Sequence, residues 1–160
     1  MVLNDVEALA AALRARSWML AAAESCTGGL IAAECTSLAG SSDWFERGFV
    51  TYSNAAKTEM LGVAQALIAQ HGAVSSEVAN AMAAGALAHS NAQLAVAVTG
   101  IAGPGGETPG KPVGTVWLAV ARRDTAPPAA LLQLSGDRAA IRRQTVQQAL
   151  RALIANLAKD

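Results

Sequence analysis

The chain has no excess of either charge: Lys+Arg and Asp+Glu number 12 each over 160 residues. Nothing in that balance draws a polyanion and no charge block marks a disordered tail, so nucleic acid is not an expected partner. No uninterrupted apolar run approaches the ~20 residues that span a bilayer. The N-terminus has no basic segment leading into an apolar signal core. The expected setting is therefore cytoplasmic, with no membrane partner. Histidine is scarce as well, with only His71 and His89. One stands near a helix end beside Gly72, the other in the last turn of a helix, and neither has an acid at a familiar spacing. Both read as surface or capping residues, which makes a Ser-His-Asp triad a poor fit. A zinc site fits no better, because the His/Cys spacing matches no ligand pattern. The two cysteines, Cys26 and Cys35, would lie about half a helical rotation apart on a shared helix and could not bridge there. They are expected as reduced thiols.

There is also no linker, internal repeat or low-complexity tract beyond a general richness in alanine. Residues 1–160 therefore read as a single domain, and the 52% hydrophobic content is ample for a core. Asn4 with Glu7 resembles a capping box, and Val6, Leu9, Ala10 and Leu13 recur at helical spacing up to Ser17. Trp18–Ala22 suits a buried strand, Leu30–Ser37 a helix, Gly48–Tyr52 a short strand and Asn54–Leu61 a short helix. Ser75 is expected to cap a helix from Ser76 to about Ser90. Strands follow at Leu94–Val98, Val113–Ala121 and Ala129–Leu134, and Asp137 is the expected N-cap of a long helix through Leu157. The class is α/β.

The stretch Ala23-Glu24-Ser25-Cys26-Thr27-Gly28-Gly29 lies where a strand hands over to a helix. Unpartnered N–H groups and the positive end of the helix dipole meet at such a turn. Ser25 there could attack a carbonyl held by the N–H groups around Thr27, Gly28 and Gly29. The alternative is that Ser25 or Thr27 caps the helix and the glycines permit close packing. With histidine unsuited, lysine becomes the candidate base. Lys57 sits just past a strand end, and partial desolvation against Tyr52 would lower its pKa enough to accept the Ser25 proton. The plain alternative is a solvated lysine on a short helix. Cys26 is a rival nucleophile, ranked lower for want of a nearby histidine.

The loop Thr99 to Gly106 cannot be helix interior. Nor can it be strand interior, and it either lines a ligand cavity with backbone donors or is a structural turn. Gly105 and Gly110-Lys111 have Walker A spacing, but Pro112 occupies the Ser/Thr position and β-like Val113–Trp117 follows, which excludes a phosphate loop. Arg138 and Arg142 share a helix face beside an N-terminus, with Arg143 adjacent. They suit a phosphate, or are ordinary exposed arginines.

Several stretches together resemble one family, the CinA-type C-terminal domain, whose stand-alone members are nicotinamide-nucleotide amidohydrolases. They are Ala23–Gly29, Gly40–Asn54 with Lys57, His71–Ser75, Val98–Pro104, Lys111–Trp117 and Gly136–Arg138, in the family's order over nearly the whole chain. The resemblance implies a single three-layer α/β/α domain with a mixed, mostly parallel sheet. It implies hydrolysis of the carboxamide of nicotinamide mononucleotide to nicotinic acid mononucleotide and ammonia, with no metal or other cofactor. On that pattern Ser25 is the nucleophile, Lys57 its basic partner and Tyr52 an accessory catalytic residue. Thr27, Gly28, Gly29, Thr99, Gly100, Gly103 and Arg138 would bind the substrate. A nucleotide is the expected small-molecule partner and a homo-oligomer is possible. The competing reading is a non-catalytic nucleotide-binding or regulatory module of the same fold.

Overall fold

A computed structural model describes residues 2–160, with side chains described from Asp5 onward. Five strands, β1 (Leu20–Glu24), β2 (Phe45–Val50), β3 (Leu94–Gly100), β4 (Thr115–Arg122) and β5 (Ala130–Gln133), form one sheet in the order β2-β1-β3-β4-β5. β1 pairs in parallel with β2 and β3, while β4 pairs antiparallel with β3 and β5. The sheet is thus mixed, with β4 alone running against the rest. Helices α1 (Val2–Arg16), α2 (Leu30–Thr36) and α6 (Arg138–Leu157) cover one face, and α3 (Asn54–Leu61), α4 (Gln65–His71) and α5 (Ser76–Ala88) the other.

The two faces differ in kind. Along β1, β3 and β4 the period-2 alternation sends Leu20, Leu94, Val96, Val98, Leu118 and Val120 toward α1, α2 and α6. The intervening positions, Ala21, Ala23, Ala95, Ala97, Ala119 and Ala121, face α5. Alanine on the strands together with Ala79, Ala83 and Ala86 on the helix lets α5 lie close over the sheet centre.

Several element limits differ from expectation for identifiable reasons. β1 begins at Leu20 because Trp18 instead packs beneath guanidinium groups, 4.6 Å from Arg122 and 5.9 Å from Arg16. β2 occupies 45–50, and Thr51 leaves the sheet after its N–H donates to the Glu24 carbonyl at 2.9 Å. β3 runs on to Gly100, so Thr99 and Gly100 are strand residues opposite Trp117 and Val116. α1 starts at Val2, upstream of the expected cap; the Asn4 side chain lies outside the described residues. α4 and a 3-10 turn at Ser41–Asp43 were not delimited by spacing. The caps at Ser75 and Asp137 are as expected, each accepting from the N–H three residues on.

Candidate active site

β1 lies between two parallel neighbours, and the crevice beyond its C-terminal end is where open α/β sheets bind ligands. Ser25 is the first residue past β1, tied in by its N–H to the Val98 carbonyl at 3.1 Å. On the next strand over, β2 ends and Ser53 caps α3, its hydroxyl accepting from the Ala56 N–H at 3.0 Å. That cap starts α3 immediately, and its first turn swings Lys57 back under the strand ends. Lys57 is only 1% exposed. Its Nζ donates to the Thr51 carbonyl at 2.9 Å, the Tyr52 carbonyl at 3.1 Å and Ser25 Oγ at 3.0 Å. Burial holds its pKa below the ordinary lysine value, with Cys26 opposing the shift.

A cavity of about 190 Å³ opens onto this pair, lined also by Cys26, Tyr52, Asn54, Val74, Thr99, Gly100 and Arg138. A second space of about 420 Å³ shares Tyr52, Val74, Gly100 and Arg138 and continues over Gly103, Gly105 and Gly106. Arg138 stands between them, donating from Nη1 to the Gly103 carbonyl at 2.8 Å and from Nη2 to the Tyr52 hydroxyl at 3.3 Å. The Tyr52 side chain is 61% exposed at the rim, and it is the backbone carbonyl of Tyr52 that reaches Lys57. Thr99 Oγ1 donates to the Ala73 carbonyl at 2.9 Å, fixing the cavity wall.

Of the expected donor set at Thr27, Gly28 and Gly29, the two glycine N–H groups are taken up within the turn. Thr27 is fully buried and its hydroxyl donates to Glu24 Oε1 at 2.6 Å. The Gly29 N–H also goes to Glu24 Oε1, at 3.2 Å, and the Gly28 N–H closes back on the Ser25 carbonyl at 3.1 Å. None of the three lines the cavity. The two glycines instead supply a backbone conformation, with φ of 58° and 107°. Two other residues, Cys26 and Gly100, line the cavity and carry amides near it. Neither the Cys26 nor the Thr27 N–H has a backbone acceptor among the described residues, and the Cys26 N–H lies against its own thiol. The Ile101 N–H bonds to Thr115 across β3–β4, so by antiparallel alternation Gly100 turns its own N–H toward the β1 side, past the last β1–β3 pair.

The remaining candidates separate clearly. Arg142 donates to the Cys26 and Thr27 carbonyls, both at 3.2 Å, and so braces the turn, while Arg143 lines a different groove with Leu30 and Glu34. Only Arg138 of the three reaches the cavity. His71 pairs with Glu77 at 3.7 Å, His89 bonds the Gly85 carbonyl, and neither lines the site. Lys111 donates to the His71 carbonyl at 2.9 Å, a structural bond with no Walker loop around it. Cys26 and Cys35 are free, and burial pushes their thiols up to about 11 and about 12. Two residues escaped the sequence reading, Asn54 and Glu24. The signal for Glu24 was there: a lone charge closing a buried apolar strand must find partners.

Known proteins share this fold. The chain is 53% identical over 152 residues to the nicotinamide-nucleotide amidohydrolase PncC of Enterobacter agglomerans, covering 92% of this chain and 93% of that one. It is 52% identical to the protein of the same name from Escherichia coli K12, covering 92% and 89%. Among solved structures, the competence/damage inducible protein CihA of Agrobacterium tumefaciens superposes with a TM-score of 0.93 at 46% identity, over 96% of this chain and 94% of that one. A CinA superfamily protein of Klebsiella pneumoniae gives 0.96 at 37% identity, over 100% and 99%. The family model described as the CinA C-terminal domain matches residues 4–157. With that match running almost end to end and the same fold recurring in these relatives, the chain belongs to the CinA C-terminal domain family.

Proposed function

We propose that this chain is a nicotinamide-nucleotide amidohydrolase that converts nicotinamide mononucleotide and water to nicotinic acid mononucleotide and ammonia through a Ser25 acyl-enzyme. The relatives named for that activity support the substrate class. The observation that carries the mechanism is the buried 3.0 Å contact between Lys57 Nζ and Ser25 Oγ. A lysine amine has two N–H groups and a lone pair when neutral. With its N–H groups on the Thr51 and Tyr52 carbonyls, the lone pair faces the Ser25 hydroxyl.

Neutral Lys57 takes the Ser25 proton as Oγ bonds to the carboxamide carbon, and the carbonyl electrons move onto oxygen. The Cys26 and Gly100 amides are the proposed donors to that oxyanion. Collapse of the intermediate breaks the C–N bond, with Lys57 giving its proton to the departing nitrogen, which leaves as ammonia. Water then attacks the ester, Lys57 accepts its proton, and the acyl–Oγ bond breaks as the proton returns to Ser25. Arg138 keeps N–H groups beyond its bonds to Gly103 and Tyr52, which suit the phosphate. Thr99, Gly100 and Gly103 shape the space for the ring and ribose.

Ser25→Ala tests the assignment directly. It is expected to abolish ammonia release while nicotinamide mononucleotide still binds by calorimetry. Retained turnover would refute the nucleophile, and binding without turnover in the unaltered chain would instead indicate a non-catalytic nucleotide-binding or regulatory module.

A further inference from the structure

We propose that Glu24, which does not touch the cavity, is the positioning residue that holds Ser25 and Lys57 in register with each other; the proposal rests on the amidase reading above. Glu24 is fully buried at the end of β1. Its Oε1 accepts from Thr27 Oγ1 at 2.6 Å, Gly29 N–H at 3.2 Å and Ile31 N–H at 2.8 Å, and its Oε2 from Ala32 N–H at 3.0 Å. Four donors on two oxygens satisfy a buried carboxylate that would otherwise be very costly. They also replace a conventional cap, since Gly29 at the N-cap of α2 has no side chain to offer. The turn carrying Ser25 is thereby clamped between the strand that ends in Glu24 and the helix that its carboxylate grips.

The main chain of the same residue reaches the other half of the pair. The Glu24 carbonyl accepts the Thr51 N–H at 2.9 Å, and the Thr51 carbonyl accepts Lys57 Nζ at 2.9 Å. One residue therefore anchors the nucleophile through its side chain and the base through its backbone. If the carboxylate is lost, the turn keeps Ser25 N–H on Val98 and the Arg142 bonds, but α2 loses its tie to the strand. Ser25 then drifts from Lys57 while the cavity walls from Tyr52, Thr99, Gly100 and Arg138 stay in place. Misplacement of a reacting group by about 1 Å costs on the order of 100-fold in rate, so the loss belongs to kcat and not to KM.

Glu24→Gln keeps the length but sets an amide NH2 against a ring of N–H donors, and Glu24→Asp keeps the charge but withdraws it by one methylene. In whichever variant melts cooperatively with the unaltered circular dichroism spectrum, ammonia release from nicotinamide mononucleotide is expected to show kcat lowered on the order of 100-fold and KM within about threefold. Labelling of Ser25 by diisopropyl fluorophosphate, followed by intact mass, is expected to slow in step, because it reads the Ser25–Lys57 pair without any nucleotide. Unchanged kcat and labelling rate in a folded variant of lowered Tm would overturn the proposal and leave Glu24 a stabilising residue only. A loss confined to KM would overturn it equally. An unaltered chain that labels at Ser25 yet releases no ammonia would refute the substrate reading alone, with Glu24 then judged on labelling rate.

Discussion

Lys57 meets its three acceptors at 2.9 to 3.1 Å, and two of them are carbonyls that no substitution of a neighbouring side chain removes. On the proposed mechanism the chemistry of the site is therefore concentrated in the protonation state of one amine. Burial lowers its pKa, so the ammonium gives up its proton at a lower pH than an ordinary lysine does. Below that value Lys57 is charged and cannot accept the Ser25 proton; above it the amine is free. The kcat/KM for nicotinamide mononucleotide should accordingly rise with pH, with a limb set below the range of exposed lysines. Lys57→Arg separates base from charge, because arginine stays protonated throughout this range. It should fall to the level of Lys57→Ala, about a thousandfold down, and near-normal turnover in the arginine variant would remove the general-base role.

At the level of elements, the position of Lys57 depends on how α3 seats against α5. The contact is made where the last residue of α3, Leu61, meets Gly85. A Cβ built on Gly85 would stand 2.1 Å from the Leu61 carbonyl oxygen, so only glycine permits this approach. Gly85→Ala must push α3 outward, and α3 carries Lys57, the proposed base. Overpacking of this kind costs about 3 kcal/mol, a fall in Tm of roughly 10 °C for a chain of this size. Thermal melting and kcat measured together should show both quantities reduced. An unchanged Tm would mean that α3 and α5 pack otherwise. The alanine-lined face of the sheet explains why α5 is so close to begin with, since bulkier strand residues would lift α5 and the α3 that rests on it.

Over the whole molecule, the serine, the lysine, the arginine and the cavity walls gather at one end of the sheet. Among the described residues no group of three His, Cys, Asp or Glu side chains is placed to hold a metal ion, and no helix is long and apolar enough to cross a membrane. On the proposed Ser-Lys mechanism turnover should survive exhaustive chelation with EDTA; activity lost on chelation and restored by a divalent ion would overturn that mechanism. The order of the strands and longer helices, the caps at Ser75 and Asp137 and the candidates Ser25 and Lys57 were readable in the chain. Hydrophobic period and capping chemistry act over a few residues, and a strand-to-helix turn announces itself locally. Which amide serves which acceptor is settled between elements, by groups that meet only after folding. The Gly29 amide looked like a free donor because nothing nearby in sequence showed that the Glu24 carboxylate would fold onto α2. Gly100 looked like loop because the extension of β3 depends on its pairing with β4. Arg138, Arg142 and Arg143 looked alike on one helix, and were separated into a cavity residue, a brace for the turn and a groove residue only by what α6 packs against.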